Sequence, residues 1–152
     1  MTQQLYLEDF VVGQTFRAGP YLVTAEAIKR FAAEFDSQPF HLDEAAAASS
    51  FFGGLAASRW HTSAITMRLM VEGGVPIAGG LIGAGGEELR WLRPVRPGDA
   101  LRIESEVLEI RPFRSKPGHG VLKIRVTTFN QNNERVQTSI GNLIARRRAV
   151  HA

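Results

Sequence analysis

The 152-residue sequence contains no cysteine. That absence excludes a disulfide framework, thiolate zinc sites and cysteine nucleophiles together, and it agrees with a reducing compartment. Long apolar runs are missing as well. No stretch approaches membrane-spanning length, and the opening "MTQQLYLEDF" has neither the basic start nor the apolar core of a secretion signal. A cytoplasmic protein with no membrane partner is expected. There is no internal repeat, low-complexity tract or interdomain linker, so residues 1–152 read as one domain. With 44% hydrophobic and 22% charged residues, the chain is neither disordered nor fibrous. Any chemistry must come from Asp, Glu, His, Ser or backbone groups.

The net charge is only +3, but the basic residues are grouped: Arg90, Arg93 and Arg96 in "RWLRPVRPGD", Arg111, Arg114 and Lys116 in "RPFRSKPGHG", and Arg146 to Arg148 near the end. Such groups suit a phosphorylated ligand, while the terminal triplet reads as a solvated face. Nucleic acid is not expected as a partner, because the groups sit in proline-broken turns without a recognition helix or an aromatic RNA-binding pattern.

In "VTAEAIKRFAAEFD", Ile28, Phe31, Ala32 and Phe35 recur at helical spacing behind Thr24, a candidate N-cap, and "DSQP" stops the run. Asp43 can cap a second short helix through "EAAAAS". After a Gly-Gly loop, "SRWHTSAITMRLMVEGG" is apolar over most of its circumference (Trp60, Ala64, Ile65, Met67, Leu69, Met70, Val71), which predicts a central helix wrapped by a sheet. Beyond about residue 80 the period becomes two. Leu101, Ile103 and Val107 alternate, then the phase shifts to Leu108 and Ile110, which predicts a bulge. Leu122, Ile124 and Val126 form a second strand. Val136, Ile140 and Ile144 mark a third, entered through the turn "NQNNER". The expected class is α+β, a curled antiparallel sheet around a central helix.

The stretch "FDSQPFHLD" places Asp36 five positions before His41 across a proline-containing turn. A carboxylate beside an imidazole suits the addition or removal of water, which requires proton transfer at two atoms. The same spacing also suits a helix stop followed by a partly buried spacer histidine. The wider sequence context adds weight to the first reading. "DSQPFHLDEAAAASSFFGGLAASRWHTSAI", continued by "ELRWLRPVRPGD" and "EVLEIRP", resembles the MaoC-like or (R)-specific enoyl-CoA hydratase family, whose motif is D-x4-H with proline inside it.

That resemblance implies a hot-dog fold and a homodimer or higher homo-oligomer. It also implies a hydro-lyase that adds water to a trans-2-enoyl-CoA to give a 3-hydroxyacyl-CoA, with Asp36 and His41 as the catalytic pair. The backbone N–H groups of Arg59 and Trp60, at the start of the central helix, would face the thioester oxygen. The basic residues Arg90, Arg93, Arg96, Arg114 and Lys116 would meet the phosphates of CoA. The chain departs from the family pattern at Arg59, where glycine is usual, and at Met67, where a supporting serine is usual; Ser63, Thr62 or Thr66 could substitute. His61 reads as a satisfied histidine at the helix start. "GGLIGAGG" reads as a flexible loop. No cofactor is expected, and no metal either, because His41 and Asp43 lack a third ligand at suitable spacing. A hot-dog thioesterase and a non-catalytic acyl-CoA binding module are the alternatives.

Overall fold

The computed structural model describes residues 4–148. Helix α1 (Ala25–Phe35) starts where Thr24 caps it, its side chain accepting from the Ala27 N–H at 3.1 Å. Two short helices follow, α2 (Pro39–Leu42) and α3 (Glu44–Ala48). Asp43 caps α3 by accepting from Ala45 N at 3.1 Å, as its spacing predicts. The central helix α4 (Arg59–Leu69) runs directly into a wider π-type turn (Met70–Gly74).

Five strands form one sheet in the order β1-β3-β4-β5-β2, every neighbouring pair antiparallel. They are β1 (Thr15–Leu22), β2 (Ile82–Trp91), β3 (Ala100–Pro112), β4 (His119–Phe129) and β5 (Arg135–Arg146). The register of β3 against β4 slips between Val107 and Glu109, where the hydrophobic phase changes in sequence. Leu101, Ile103 and Val107 meet Leu122, Ile124 and Val126 in the core, together with Ile28 of α1 and Ile65 and Leu69 of α4.

Two expectations need correction. In β5 the buried places go to Val136, Gln137, Leu143 and Ala145, with Ile140 and Ile144 only half buried. Apolar residues occupy both phases there, so alternation could not select the core face. Residues 82–86, within the glycine-rich stretch read as a loop, are strand; only Gly79, Gly80 and Leu81 of that stretch precede β2. The single curled sheet packs on one face of α4 as expected, and on its other face Trp60 and Met67 are 60% and 46% exposed.

Candidate active site

Helix α1 ends with the Asp36 backbone N–H donating to Ala32 O at 2.8 Å. The next side chain, Ser37, satisfies further end carbonyls by donating to Ala32 O and Ala33 O, each at 3.0 Å. The carboxylate of Asp36, which can only accept, takes no part in closing this helix end. Pro39 then takes the first position of α2, where its missing N–H costs nothing. One turn of helix brings His41 back toward Asp36.

The Nε2 atom of His41 lies 3.3 Å from Asp36 Oδ2, and its Nδ1 lies 2.6 Å from the carbonyl oxygen of Ala56. A carbonyl only accepts, so Nδ1 carries the proton. In the neutral ring Nε2 then presents a lone pair toward a carboxylate. Two acceptors in this position need a proton between them or a molecule that donates to both. Water has that capacity.

Asp36 is further held by Gln38 Nε2, which donates to Oδ1, and by the hydroxyl of Ser58. Burial opposes its ionisation, but the hydrogen bonds from Gln38 and Ser58, joined by the charge of His41 whenever that ring is protonated, outweigh it, so the carboxyl sits below the ordinary value of 3.8. Ser58 is fully buried and is the N-cap of α4, accepting from Trp60 N at 3.2 Å. The sequence did not single out this serine, whose hydroxyl favours the ionised form of Asp36. Its signal was the N-cap position immediately before "RWHTSAI".

Ser63 and Thr66 are committed elsewhere. Ser63 donates to Gln137 Oε1 at 2.7 Å, and Thr66 Oγ1 bonds Thr62 O at 3.0 Å and Thr128 Oγ1 at 2.7 Å. His61 is buried and stacked on Phe31, with ring centroids 4.6 Å apart, but its Nδ1 has no partner among the described residues. It is not the satisfied histidine the sequence suggested. Burial, then the charge of Arg30, depresses its pKa and keeps the ring uncharged.

The cap also divides the two expected oxyanion donors. Trp60 N–H is occupied by Ser58, whereas the Arg59 N–H has no partner among the described residues. The Arg59 side chain is exposed, its Cζ 5.8 Å from the Phe52 ring and 5.9 Å from the Trp91 ring.

Of the basic residues, Arg96 faces inward. Its guanidinium donates to Gly54 O at 2.8 Å, Leu55 O at 3.3 Å and Phe52 O, tying down the loop before α4. That inward commitment removes it from the residues able to face a phosphate. Arg90 and Arg93 are exposed on either side of Trp91, and Arg93 pairs with Glu134 at 3.1 Å. Arg114 and Lys116 follow the far end of β3, about 40 Å along the strand from Ala100 at ~3.3 Å per residue. Within one chain they do not join Asp36 and His41.

A cavity of about 530 Å³ lies between α4 and strands β2 and β5, lined by Trp60, Ser63, Met67, Met70, Gln137 and Leu143 among others. Neither Asp36 nor His41 lines it. The two places meet at the N-terminus of α4, where Trp60 faces the cavity and Ser58 faces the dyad.

The family model described as "MaoC like domain" matches residues 9–130. The chain belongs to the MaoC-like family. This MaoC-like chain is 53% identical to a MaoC-like dehydratase from Rhodospirillum rubrum, with 96% of this chain and 99% of that one covered and a TM-score of 0.92. It is 28% identical to the unliganded (R)-hydratase PhaJ1 from Pseudomonas aeruginosa over 99% of this chain and 94% of that one, TM-score 0.74. YdeM of Bacillus subtilis is 35% identical over 130 residues, 86% of this chain and 91% of YdeM. The MaoC-like chain thus shares the hot-dog fold of dehydratases and (R)-hydratases. None of its described helices is long and apolar enough to cross a membrane.

Proposed function

We propose that the protein is a hydro-lyase interconverting a trans-2-enoyl-CoA and a 3-hydroxyacyl-CoA, with Asp36 and His41 as its acid/base pair. The observation that carries this reading is His41 Nε2 facing Asp36 Oδ2 at 3.3 Å while the ring's other nitrogen, Nδ1, is held by the Ala56 carbonyl at 2.6 Å. A water donating to both acceptors is held with its oxygen lone pairs directed away from them. His41 takes one proton as that oxygen bonds to the β-carbon, and the π electrons move onto the thioester oxygen. The Arg59 N–H, at the positive end of α4, stabilises the enolate. Protonation at the α-carbon through the dyad completes the addition, and dehydration retraces the same steps.

The exposed face of α4 and the edge strand β2, open along nearly its whole length, favour pairing with a second copy. A homodimer is accordingly part of the proposal, and light scattering would measure it. Arg90 and Arg93, beside Trp91, are the residues proposed for the CoA phosphates. The activity test is loss of conjugated enoyl absorbance from a panel of trans-2-enoyl-CoA thioesters, with free thiol assayed in parallel. Hydration without thiol release supports the proposal. Thiol release with the double bond intact would identify a thioesterase instead.

A further inference from the structure

The side chain of Arg59 has no role in the chemistry above, although its backbone does. It pairs with no carboxylate among the described residues, whereas Lys29, Arg30, Arg68 and Arg93 all do. Its guanidinium instead rests beside two aromatic rings, Phe52 and Trp91. Phe52 neighbours both the dyad and the cation, its centroid 6.0 Å from the His41 ring and 5.8 Å from Arg59 Cζ. On the other flank, Trp91 packs edge-on against Trp60 at 5.1 Å and donates from Nε1 to Gln137 at 2.9 Å. Trp60 and Gln137 both line the cavity behind α4. The cation thus sits near a ring that touches His41 and a ring that touches a cavity-lining residue, and its guanidinium has no hydrogen-bond partner among the described residues. An arginine in this setting is suited to receive an anionic group in bidentate fashion.

Two anionic groups could come with the substrate, the phosphates of CoA and a carboxylate on the acyl chain, and reach decides between them. At the ~1.2 Å per bond of an extended chain, the pantetheine arm puts the diphosphate about 16 Å from the thioester, whereas an arginine head extends about 7 Å from its own backbone. If the Arg59 N–H holds the thioester oxygen, the same residue's guanidinium falls well short of the diphosphate. A carboxylate at C4 of the acyl chain lies only about 4 Å from the thioester carbon by the same measure, within that reach.

We infer that Arg59 is a specificity residue, binding a carboxylate borne by the acyl group, so that the substrate class is the CoA monothioester of a short dicarboxylic acid. This inference rests on the acyl-CoA reading given above and deepens it. It also accounts for an arginine at a position where the backbone alone is needed for chemistry.

The test is equilibrium binding of succinyl-CoA and butyryl-CoA, which have four acyl carbons each and no double bond, to the intact protein and to Arg59→Met and Arg59→Lys. The wild type should prefer succinyl-CoA by about tenfold, the effect of one hydrogen bond to a charged group. The preference should shrink with added salt, disappear in Arg59→Met and persist in part in Arg59→Lys. Equal weakening of both thioesters in Arg59→Met would place the guanidinium on CoA and overturn the inference. So would a wild-type protein that binds the two equally. These outcomes leave the hydro-lyase reading standing, because neither probe can be hydrated, whereas binding of neither thioester would overturn both.

Discussion

The carbonyl oxygen of Ala56 accepts a hydrogen bond from His41 Nδ1 at 2.6 Å, and this contact sets which nitrogen of the ring can act as a base. The main chain holds the proton on the buried side and leaves Nε2 with its lone pair toward Asp36. In ¹⁵N-labelled protein, the His41 resonances should report a protonated Nδ1 and an unprotonated Nε2. The opposite tautomer would deny His41 the role of accepting a proton from water.

Ser58 caps α4 and favours the ionised form of the Asp36 carboxyl. Ser58→Ala should cost about 0.5–2 kcal/mol of stability through the lost cap. It should also raise the pKa of Asp36, because a donor to the ionised form has gone. Ser58→Thr should restore both properties. Chemical denaturation of the three proteins, with pH–rate profiles for each, checks this. Lower stability with an unmoved acid limb would confine Ser58 to capping.

The depressed pKa of Asp36 fixes the sign of a pH effect. A carboxyl whose folded value lies below the unfolded 3.8 adds stability that is fully present above 3.8 and lost as pH falls through the folded value. Asp36→Asn should therefore flatten the acid side of the stability curve relative to wild type, as followed by denaturant midpoints. A steeper acid loss in the mutant would contradict the assigned shift.

Arg93 and Arg96 sit three residues apart in one proline-rich turn, yet they should respond oppositely to substitution. Arg96→Met strips three carbonyls of the 52–55 loop of their donor and should cost about 2–4 kcal/mol. Arg93→Ala removes an exposed pair with Glu134 and should cost under about 1 kcal/mol while weakening CoA binding in a salt-sensitive way. Thermal melts and binding titrations on both variants distinguish the roles. A stable Arg96→Met with weakened CoA binding would return that residue to the ligand.

The sequence was most legible where one local rule acted alone. Thr24 and Asp43 cap helices as their spacing predicts, and the phase change after Val107 is a bulge. Strand β1 was missed because Gly19-Pro20 interrupts its alternation, and the pairing with β3 shifts register there, between Ala18 and Tyr21. The fate of Arg96 was not legible either, since composition shows a basic cluster but not which guanidinium turns inward to a loop 41 to 44 residues away in sequence. Asp36 and His41 stood out through motif spacing, whereas Ser58 did not, because its link to Asp36 depends on how α1 packs beside the start of α4.

The catalytic dyad is tested most directly by a melting temperature and a hydration rate measured on the same preparation of Asp36→Asn. Asn preserves the shape of the side chain but cannot carry the proton, and the helix-ending bonds belong to the Asp36 backbone and to Ser37. The variant should be a folded protein that still binds acyl-CoA and hydrates about 10²- to 10⁴-fold more slowly, the range for a lost general acid or base. His41→Ala should fall comparably, and the double mutant should be little worse than either single, because the two act as one unit. A folded Asp36→Asn protein with undiminished hydration would contradict the dyad, as would a drop in melting temperature with turnover per folded molecule unchanged.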